Sequence, residues 1–297
     1  MSRFVEDTTH VTRRDFLSTA ALFAGYCALS CDLEAQQPNA AYGVPPVQAL
    51  DDKNVIQGKV TFKSGTEDLD GYLARPNKKG RFPIVVIVAG NPPYEDYVRN
   101  MTAMFAQVGF VGIAPNIYSV QKDAKTLEQL RKILAEKITD EKIFRDIRSS
   151  ISYATEQGFG KSTRVAVTGF CFGGRCALMF AATYPNEVRA VVPFYGKLKT
   201  PAFAGRKLDP VDVVARITVP VLGHYAETDP EIPSAQLKDF EPRRRRIIAT
   251  PRYSPTPVPV WIFCAHAGDL QRRRRRSMTT VASLMSTLLR RIYELST

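Results

Sequence analysis

Histidine is scarce in this chain of 297 residues, which contains only three, at positions 10, 224 and 266. Its five cysteines are irregularly spaced, which excludes the paired-cysteine pattern of a zinc site and the framework of a disulfide-stapled domain. The apolar run at residues 18–30 is shorter than the roughly 20 residues that a membrane-spanning helix needs. We therefore expect no metal site and no membrane span. Only three histidines are available as a general base.

Lysine is absent after Lys238, and the balance of charge changes at the same place. Residues 242–297 hold twelve arginines and two acidic residues, whereas the other 241 residues carry 29 basic and 27 acidic side chains. The net charge of +12 therefore belongs to an atypical Arg-rich C-terminal segment, residues 242–297. Because this segment lacks interleaved aromatic residues and a folded nucleic-acid motif, nucleic acid is not the expected partner. An arm for nucleic acid or anionic lipid stays open as an alternative.

The first 35 residues resemble an export signal. Arg13 and Arg14 precede Phe16, Leu17 and about a dozen mildly apolar residues, which is typical of a twin-arginine leader. We expect residues 1–35 to form this leader, with membrane contact through it alone, and residues 36–54 to form a polar linker. The protein would then be periplasmic or otherwise extracytoplasmic. An ordinary amphipathic first helix is the alternative, and it would leave the protein in the cytoplasm.

Residues 55–241 alternate between strand and helix patterns. Two short antiparallel strands are predicted first, followed by buried β-branched runs that alternate with amphipathic stretches. The predicted strands are 59–62, 69–74, 84–88, 111–114, 165–168, 190–193 and 219–222, and the predicted helices are 96–108, 124–138 and 141–157. This alternation predicts an α/β domain with a mostly parallel, doubly wound sheet and helices on both faces.

A strand pattern at residues 165–168 runs into the sequence Gly-Phe-Cys-Phe-Gly-Gly at residues 169–174, and a helical pattern follows. Strand, sharp turn and helix in this order match the nucleophile elbow of α/β-hydrolases, with Cys171 where serine usually stands. Gly169, Gly173 and Gly174 remove side chains that would clash in such a turn. The N–H of Phe172 would point to a developing oxyanion. The alternative is a small buried apolar cysteine, which is the expectation for Cys176.

The elbow sequence resembles that of the dienelactone hydrolase family. Further similarity lies at residues 82–88, 109–118 and 220–229, so that the resemblance covers about residues 55–240. The resemblance implies an α/β-hydrolase fold and a triad in which Asp229 is the acid. His266, downstream of the acid at the end of a possible strand, is the candidate base, whereas His224 is expected to pack within a strand. Gly90 and Asn91 are the candidates for the second oxyanion N–H.

Three features of the sequence depart from the family pattern. The usual Gly-x-x-His-Gly-Phe-like segment around the base is missing, and the loop at residues 89–93 has no carboxylate to pair with the cysteine. The substrate-binding arginines of the family have no clear counterparts. Arg175 is an unassigned candidate for a substrate carboxylate, with a surface arginine as the favoured interpretation.

The C-terminal segment has two further interpretations, which are arginine runs on a solvated surface and a change of reading frame. A change of reading frame near codon 241 would produce arginine runs and remove the expected histidine segment together. Against this hypothesis, apolar residues at helical spacing predict an amphipathic terminal helix at residues 278–295, which would cover the sheet as its last helix.

Together these patterns predict a hydrolase that cleaves a lactone or carboxylic ester through a cysteine nucleophile and an acyl-enzyme. Its only expected partner is a small ester or lactone substrate, no metal or organic cofactor is needed, and a monomer is favoured. The alternative is a catalytically impaired protein of the same fold that acts as a binding module or is a frame-shifted product.

Overall fold

A computed structural model describes residues 52–90, 95–119, 136–200, 208–226 and 260–265, together with residues 129, 132, 206, 229, 232–233, 235–237 and 240. The predicted leader, nearly all of the predicted linker and the predicted helix at 278–295 lie outside the described residues. Of the helix predicted at 124–138, the described residues 129, 132, 136 and 137 are helical.

The elements with defined bounds among the described residues are eight strands, four helices and a short 3-10 turn at Val214–Arg216. The elements are, in chain order, β1 Val55–Ser64, β2 Glu67–Pro76, β3 Phe82–Val88, α1 Glu95–Gln107, β4 Val111–Pro115, α2 Asp140–Glu156, β5 Gly160–Phe170, α3 Phe172–Thr183, β6 Ala190–Phe194, α4 Pro210–Val213, β7 Val221–Ala226 and β8 Val260–Ala265.

All eight strands belong to one sheet, in the order β1-β2-β4-β3-β5-β6-β7-β8. The first two pairings, β1 with β2 and β2 with β4, are antiparallel, and every other pairing is parallel. The predicted α/β class, with a mostly parallel sheet and helices on both faces, is confirmed. Because the six strands β4, β3, β5, β6, β7 and β8 run the same way, their carboxyl ends meet at one edge of the sheet.

The centre of the sheet is apolar on both faces, as the continuous β-branched runs predicted. All residues of β4 and β6 are buried, and so are the last five residues of β3. The helix α3, which follows the elbow, has ten buried residues and packs on β5 and β6. The elbow is therefore built into the middle of the core.

The strand β8 lies within the Arg-rich segment that composition separates from the domain. It pairs in parallel with β7 over six residue pairs, from Val221 with Val260 to Ala226 with Ala265. Residues 260–265 thus belong to the same sheet and are the outermost of its described strands on this side. Among the described residues, no helix combines the length and the apolar character that crossing a membrane requires.

Candidate active site

Cys171 occupies a sharp turn between β5 and α3. Its backbone has φ 51° and ψ −116°, a conformation that L-residues rarely adopt and that stores local strain. The N–H of Cys171 donates to the carbonyl oxygen of Phe194 at 3.0 Å, and its own carbonyl accepts from the N–H of Arg175 at 3.2 Å. The residue is partly exposed, whereas Cys176 is fully buried and burial raises the pKa of its thiol to about 12. Of these two thiols, only that of Cys171 is open to a solute.

The three elbow glycines allow backbones to touch. A Cβ on Gly169 would collide with the backbone of Gly173, and a Cβ on Gly173 would collide with the carbonyl oxygen of Val88. A Cβ on Gly174 would come within 2.7 Å of the Cα of Gly196, beyond the end of β6. The first turn of α3 is therefore packed directly against three neighbouring strands or their ends, which fixes where Cys171 and Phe172 lie.

The loop after β3 contacts the elbow from the other side. A Cβ on Gly90 would lie 3.1 Å from the Cβ of Cys171 and 2.5 Å from the carbonyl oxygen of Phe170. The hydroxyl of the buried Tyr118 donates to the carbonyl oxygen of Gly90 at 2.5 Å, which ties this loop to the segment after β4. Gly90 is thus adjacent to the cysteine. Asn91, the other predicted oxyanion residue of the loop, lies outside the described residues.

A row of aromatic rings underlies the carboxyl ends of the central strands. The rings of Phe170 and Phe194 are stacked at 4.9 Å between centroids, and those of Phe194 and His224 at 4.4 Å. Tyr195, the residue after β6, has φ 37°, so Cys171 and Tyr195 are the non-glycine residues with positive φ in the described part of the chain. Two strained residues on adjacent strands therefore face the same edge of the sheet.

His224 is a packed core residue, as predicted. It is 4% exposed, and burial lowers the pKa of its imidazole to about 3. An imidazole with this pKa stays neutral but is too weak a base to take a proton from a thiol near neutral pH. His224 therefore positions aromatic rings and does not supply the general base.

Asp229 lies three residues beyond the end of β7 and is partly buried. Its Oδ1 accepts a hydrogen bond from the N–H of Ile232 at 3.2 Å. Burial, and then the charge of Asp229, raise the pKa of Tyr225, which places the carboxylate close to the end of β7. The candidate base His266 lies outside the described residues, one residue beyond the end of β8.

Arg175 is neither a surface arginine nor available to a substrate carboxylate, which corrects the prediction. Its side chain is 0% exposed and forms a bidentate pair with Asp140, at 2.8 Å from Nη1 and 3.0 Å from Nη2. Its Nη2 also donates to the carbonyl oxygen of Leu208 at 2.8 Å. Asp140 is the first residue of α2, so this pair joins α2 to the elbow helix.

Sequence reasoning missed two residues beside the elbow, Tyr118 and Arg206. Tyr118 stands within a stretch that carries the family resemblance, but nothing in the stretch indicates a bond to the loop after β3. Arg206 lies in no recognisable pattern, and its guanidinium carbon is 4.8 Å from the centroid of the Phe172 ring. Among the residues that the structure describes, no cluster of three or more histidine, cysteine or acidic side chains is arranged to hold a metal ion.

Comparison with known proteins places this geometry in a family. The model of the dienelactone hydrolase family matches residues 69–247. A "Putative carboxymethylenebutenolidase" of Methylorubrum extorquens is 30% identical over 240 residues, which are 80% of this chain and 81% of that protein. A "Probable 2-oxo-3-(5-oxofuran-2-ylidene)propanoate lactonase" of Bradyrhizobium is 32% identical over 178 residues, 59% of this chain and 71% of that one.

A solved structure agrees with these sequence matches. The crystal structure of a "Putative Dienelactone Hydrolase" from Klebsiella pneumoniae superposes with a TM-score of 0.64 at 28% identity, covering 80% of this chain and 98% of that one. The family match spans more than half of the chain and extends from β2, across the elbow, to beyond the end of β7. On this evidence the chain belongs to the dienelactone hydrolase family.

Proposed function

We propose that this protein hydrolyses a lactone or a carboxylic ester, with Cys171 as the nucleophile. The observation that carries the proposal is the strained, partly exposed Cys171 at the start of α3, against which the backbone of Gly90 packs. Strain of this kind persists only where the surrounding structure enforces it, and it is concentrated at functional sites. The names of the relatives, which include a carboxymethylenebutenolidase and a lactonase, support the same reaction class.

The reaction begins when His266 takes the proton of the Cys171 thiol, and the thiolate attacks the carbonyl carbon of the ester. The carbonyl oxygen becomes an oxyanion, which accepts hydrogen bonds from the N–H of Phe172 and from the N–H groups of the Gly90 and Asn91 loop. Phe172 is the first residue of α3, where an N–H has no acceptor within its own helix. The helix dipole adds to the stabilisation of negative charge at this position.

Collapse of the tetrahedral intermediate breaks the C–O bond of the ester. The departing alkoxide takes a proton from the imidazolium of His266, and a thioester remains on Cys171. Water then attacks the thioester and gives up a proton to His266, and the thiolate leaves as the carboxylic acid is released. In a lactone, the alkoxide and the acyl group belong to one molecule, so the single product is a hydroxy acid.

The proposed acid and base come from the two strands that follow β6 in the sheet. Phe170, Phe194, His224 and Phe263 are paired in one row across β5, β6, β7 and β8. In the sequence, Cys171 follows this row by one residue, His266 by three and Asp229 by five. Order along the chain, nucleophile then acid then histidine, is the order of α/β-hydrolases. We therefore assign His266 as the base that Asp229 orients.

The test is turnover of p-nitrophenyl acetate and of a dienelactone by the Cys171→Ala and Cys171→Ser variants. We expect the alanine variant to lose at least about a thousandfold in kcat/KM, because the residual rate rests on the oxyanion donors and binding alone. Cys176→Ala is the matched control, since that thiol is buried on the same helix. Unchanged turnover in Cys171→Ala would refute the nucleophile assignment.

A further inference from the structure

The ring of Phe172 is held in place by an arginine from outside the elbow. The guanidinium carbon of Arg206 lies 4.8 Å from the ring centroid, within the distance at which a cation is attracted to an aromatic face. The side chain of Arg206 is only 6% exposed. Water therefore screens this contact weakly, and the ring and the cation restrict each other's motion.

Two hydrogen bonds fix the plane of the Arg206 guanidinium. Its Nε donates to Oδ1 of Asp140 at 3.2 Å, and its Nη2 donates to the carbonyl oxygen of Ile138 at 2.5 Å. Asp140 is the first residue of α2, and Ile138 lies two residues before it. Because a guanidinium is planar, two bonds along its edge fix its orientation, and they hold the guanidinium carbon over the ring of Phe172.

The same carboxylate is also bound by Arg175, four residues after Cys171. Asp140 thus accepts from both arginines, and its position is set by the bidentate pair with the fully buried Arg175. Arg175 in turn is fixed by its place on α3 and by the carbonyl oxygen of Leu208. These contacts begin at Arg175, in the second turn of α3, and pass through Asp140 and Arg206. They end at Phe172, the first residue of the same helix.

We propose that Arg206 is a positioning residue that aligns the Phe172 N–H with the oxyanion formed on the substrate. This inference rests on the proposed function, and it assigns a role to a residue outside the proposed triad and the proposed oxyanion donors. Clamping the side chain of Phe172 limits rotation about its backbone bonds, and the direction of its N–H follows from those bonds. A preorganised donor stabilises the transition state more than a mobile one does.

The test compares two reactions of the same thiol in the Arg206→Met variant. A trifluoromethyl ketone adds to the thiolate and leaves an oxyanion, which uses the Phe172 N–H. Iodoacetamide alkylates the thiolate by displacement of iodide and forms no oxyanion. We expect kcat for p-nitrophenyl acetate and affinity for the ketone each to fall about tenfold, since a misaligned donor loses part of the roughly hundredfold effect of a whole one. Alkylation of Cys171, followed by peptide mass spectrometry, should stay within about twofold, as should KM.

Arg148→Met is the matched control, because Arg148 also pairs with a carboxylate, Glu187 at 3.0 Å, and lies 5.0 Å from the ring centroid of Tyr184. It should change none of the readouts. Phe172→Leu, which removes the ring and keeps the N–H, should reproduce the loss, and combining it with Arg206→Met should add little. If Arg206→Met does not fold, Phe172→Leu alone tests the role of the contact between Arg206 and Phe172.

Two results would overturn the proposal: unchanged kcat and ketone affinity in Arg206→Met and Phe172→Leu, or a fall in alkylation that matches the fall in kcat. The first means that the clamp has no effect on the oxyanion, and the second means general damage to the elbow. Failure of the proposed function is a separate result, because it appears as full turnover in Cys171→Ala.

Discussion

Gly173 lies against the carbonyl oxygen of Val88, so closely that a Cβ on the glycine would overlap that oxygen. The first turn of α3 thus packs directly on the end of β3, and this contact brings the cysteine turn beside the loop that begins at Ala89. The position of the candidate nucleophile depends on a glycine whose neighbour is backbone, which cannot move aside as a side chain can.

We expect Gly173→Ala to lower the free energy of unfolding by about 3 kcal/mol, the upper range for overpacking of a core. It should also abolish turnover, because α3 must move away from β3 to make room for the methyl group. Urea denaturation measures the first effect. Gly58→Ala is the control, since a Cβ at Gly58 meets no atom within 4 Å, and its stability should change by less than about 0.5 kcal/mol. Equal stability of the two variants would contradict this account of the elbow.

The pair between Arg175 and Asp140 should be essential for stability. Asp140→Ala would leave two guanidinium groups without their shared carboxylate, and loss of one partner of a buried pair costs about 3–5 kcal/mol. In contrast, the pair between Lys63 and Asp68 has side chains that are 67% and 66% exposed, so Asp68→Ala should cost under about 1 kcal/mol. Denaturant unfolding of both variants checks the contrast. Comparable losses would show that the buried network contributes no more than a surface pair.

His224 should make the protein less stable in acid. Because its pKa is about 3 in the folded state and 6.5 in the unfolded chain, only the unfolded state takes up the proton between these values. Its contribution to stability is complete above about pH 6.5 and falls by about 1.4 kcal/mol per pH unit below that, until pH approaches about 3.

His224→Phe tests this, since phenylalanine keeps a ring to stack on Phe194 and removes the titrating group. We expect the variant to gain stability relative to the parent protein as the pH falls from 7 to about 5. Urea midpoints at several pH values measure the difference. Parallel pH profiles for the two proteins would mean that His224 is protonated in the folded state.

The two cysteines of the elbow helix should differ in reactivity. Cys171 is partly exposed, whereas Cys176 is buried and burial raises the pKa of its thiol to about 12. Since only the thiolate reacts, iodoacetamide should label Cys171 in the native protein roughly a thousandfold faster than Cys176. Peptide mass spectrometry over time gives both rates. Equally slow alkylation of the two cysteines would contradict this expectation, because it would mean that both thiols are buried in the core.

We propose that residues 1–35 are a twin-arginine leader, and on this proposal export depends on Arg13 and Arg14. Replacing Arg13 and Arg14 together by lysine should keep the protein in the cytoplasm, because the arginine pair is the feature that defines this type of signal. Fractionation of a bacterium with the export system, with an antibody against the domain, measures this. Unchanged export of the double variant would assign the leader to another route.

The glycines of the elbow made the central turn predictable from sequence alone. A tight contact between a strand and the following helix requires glycines at fixed spacing in a short stretch of sequence. In the structure, a Cβ on Gly169, Gly173 or Gly174 would collide with backbone atoms. The buried strands were predictable for a related reason, because burial on both faces produces continuous apolar runs such as that of β3. The sequence predicted which segments are strands more accurately than it predicted where each strand begins and ends.

The hairpin strands are longer than predicted. The prediction covered residues 59–62 and 69–74, whereas β1 runs over Val55–Ser64 and β2 over Glu67–Pro76, paired along ten residues. The additional positions in β1 include the polar residues Gln57, Lys63 and Ser64, whose backbone bonds hold the strand although their side chains give no apolar signal. An antiparallel edge pair can be partly solvated in this way.

Arg175 shows where sequence reasoning failed. Its partner Asp140 stands 35 residues earlier, at the start of a different helix, and the fold alone brings the two together. Arginine is so often exposed that its burial cannot be inferred without knowledge of such a partner. The same holds for Arg206, whose contacts with Asp140, Ile138 and Phe172 all depend on tertiary structure.

The nucleophile assignment is tested most directly by trapping the acyl-enzyme. The protein is mixed with p-nitrophenyl acetate, quenched in acid within the first turnovers, digested and analysed by mass spectrometry. Our account predicts an acetyl group on the peptide that contains Cys171, present in the Cys176→Ala control and absent from the Cys171→Ala variant. Rapid turnover in the parent protein with acetylation at another residue, or with the Cys171 peptide never acylated, would contradict it.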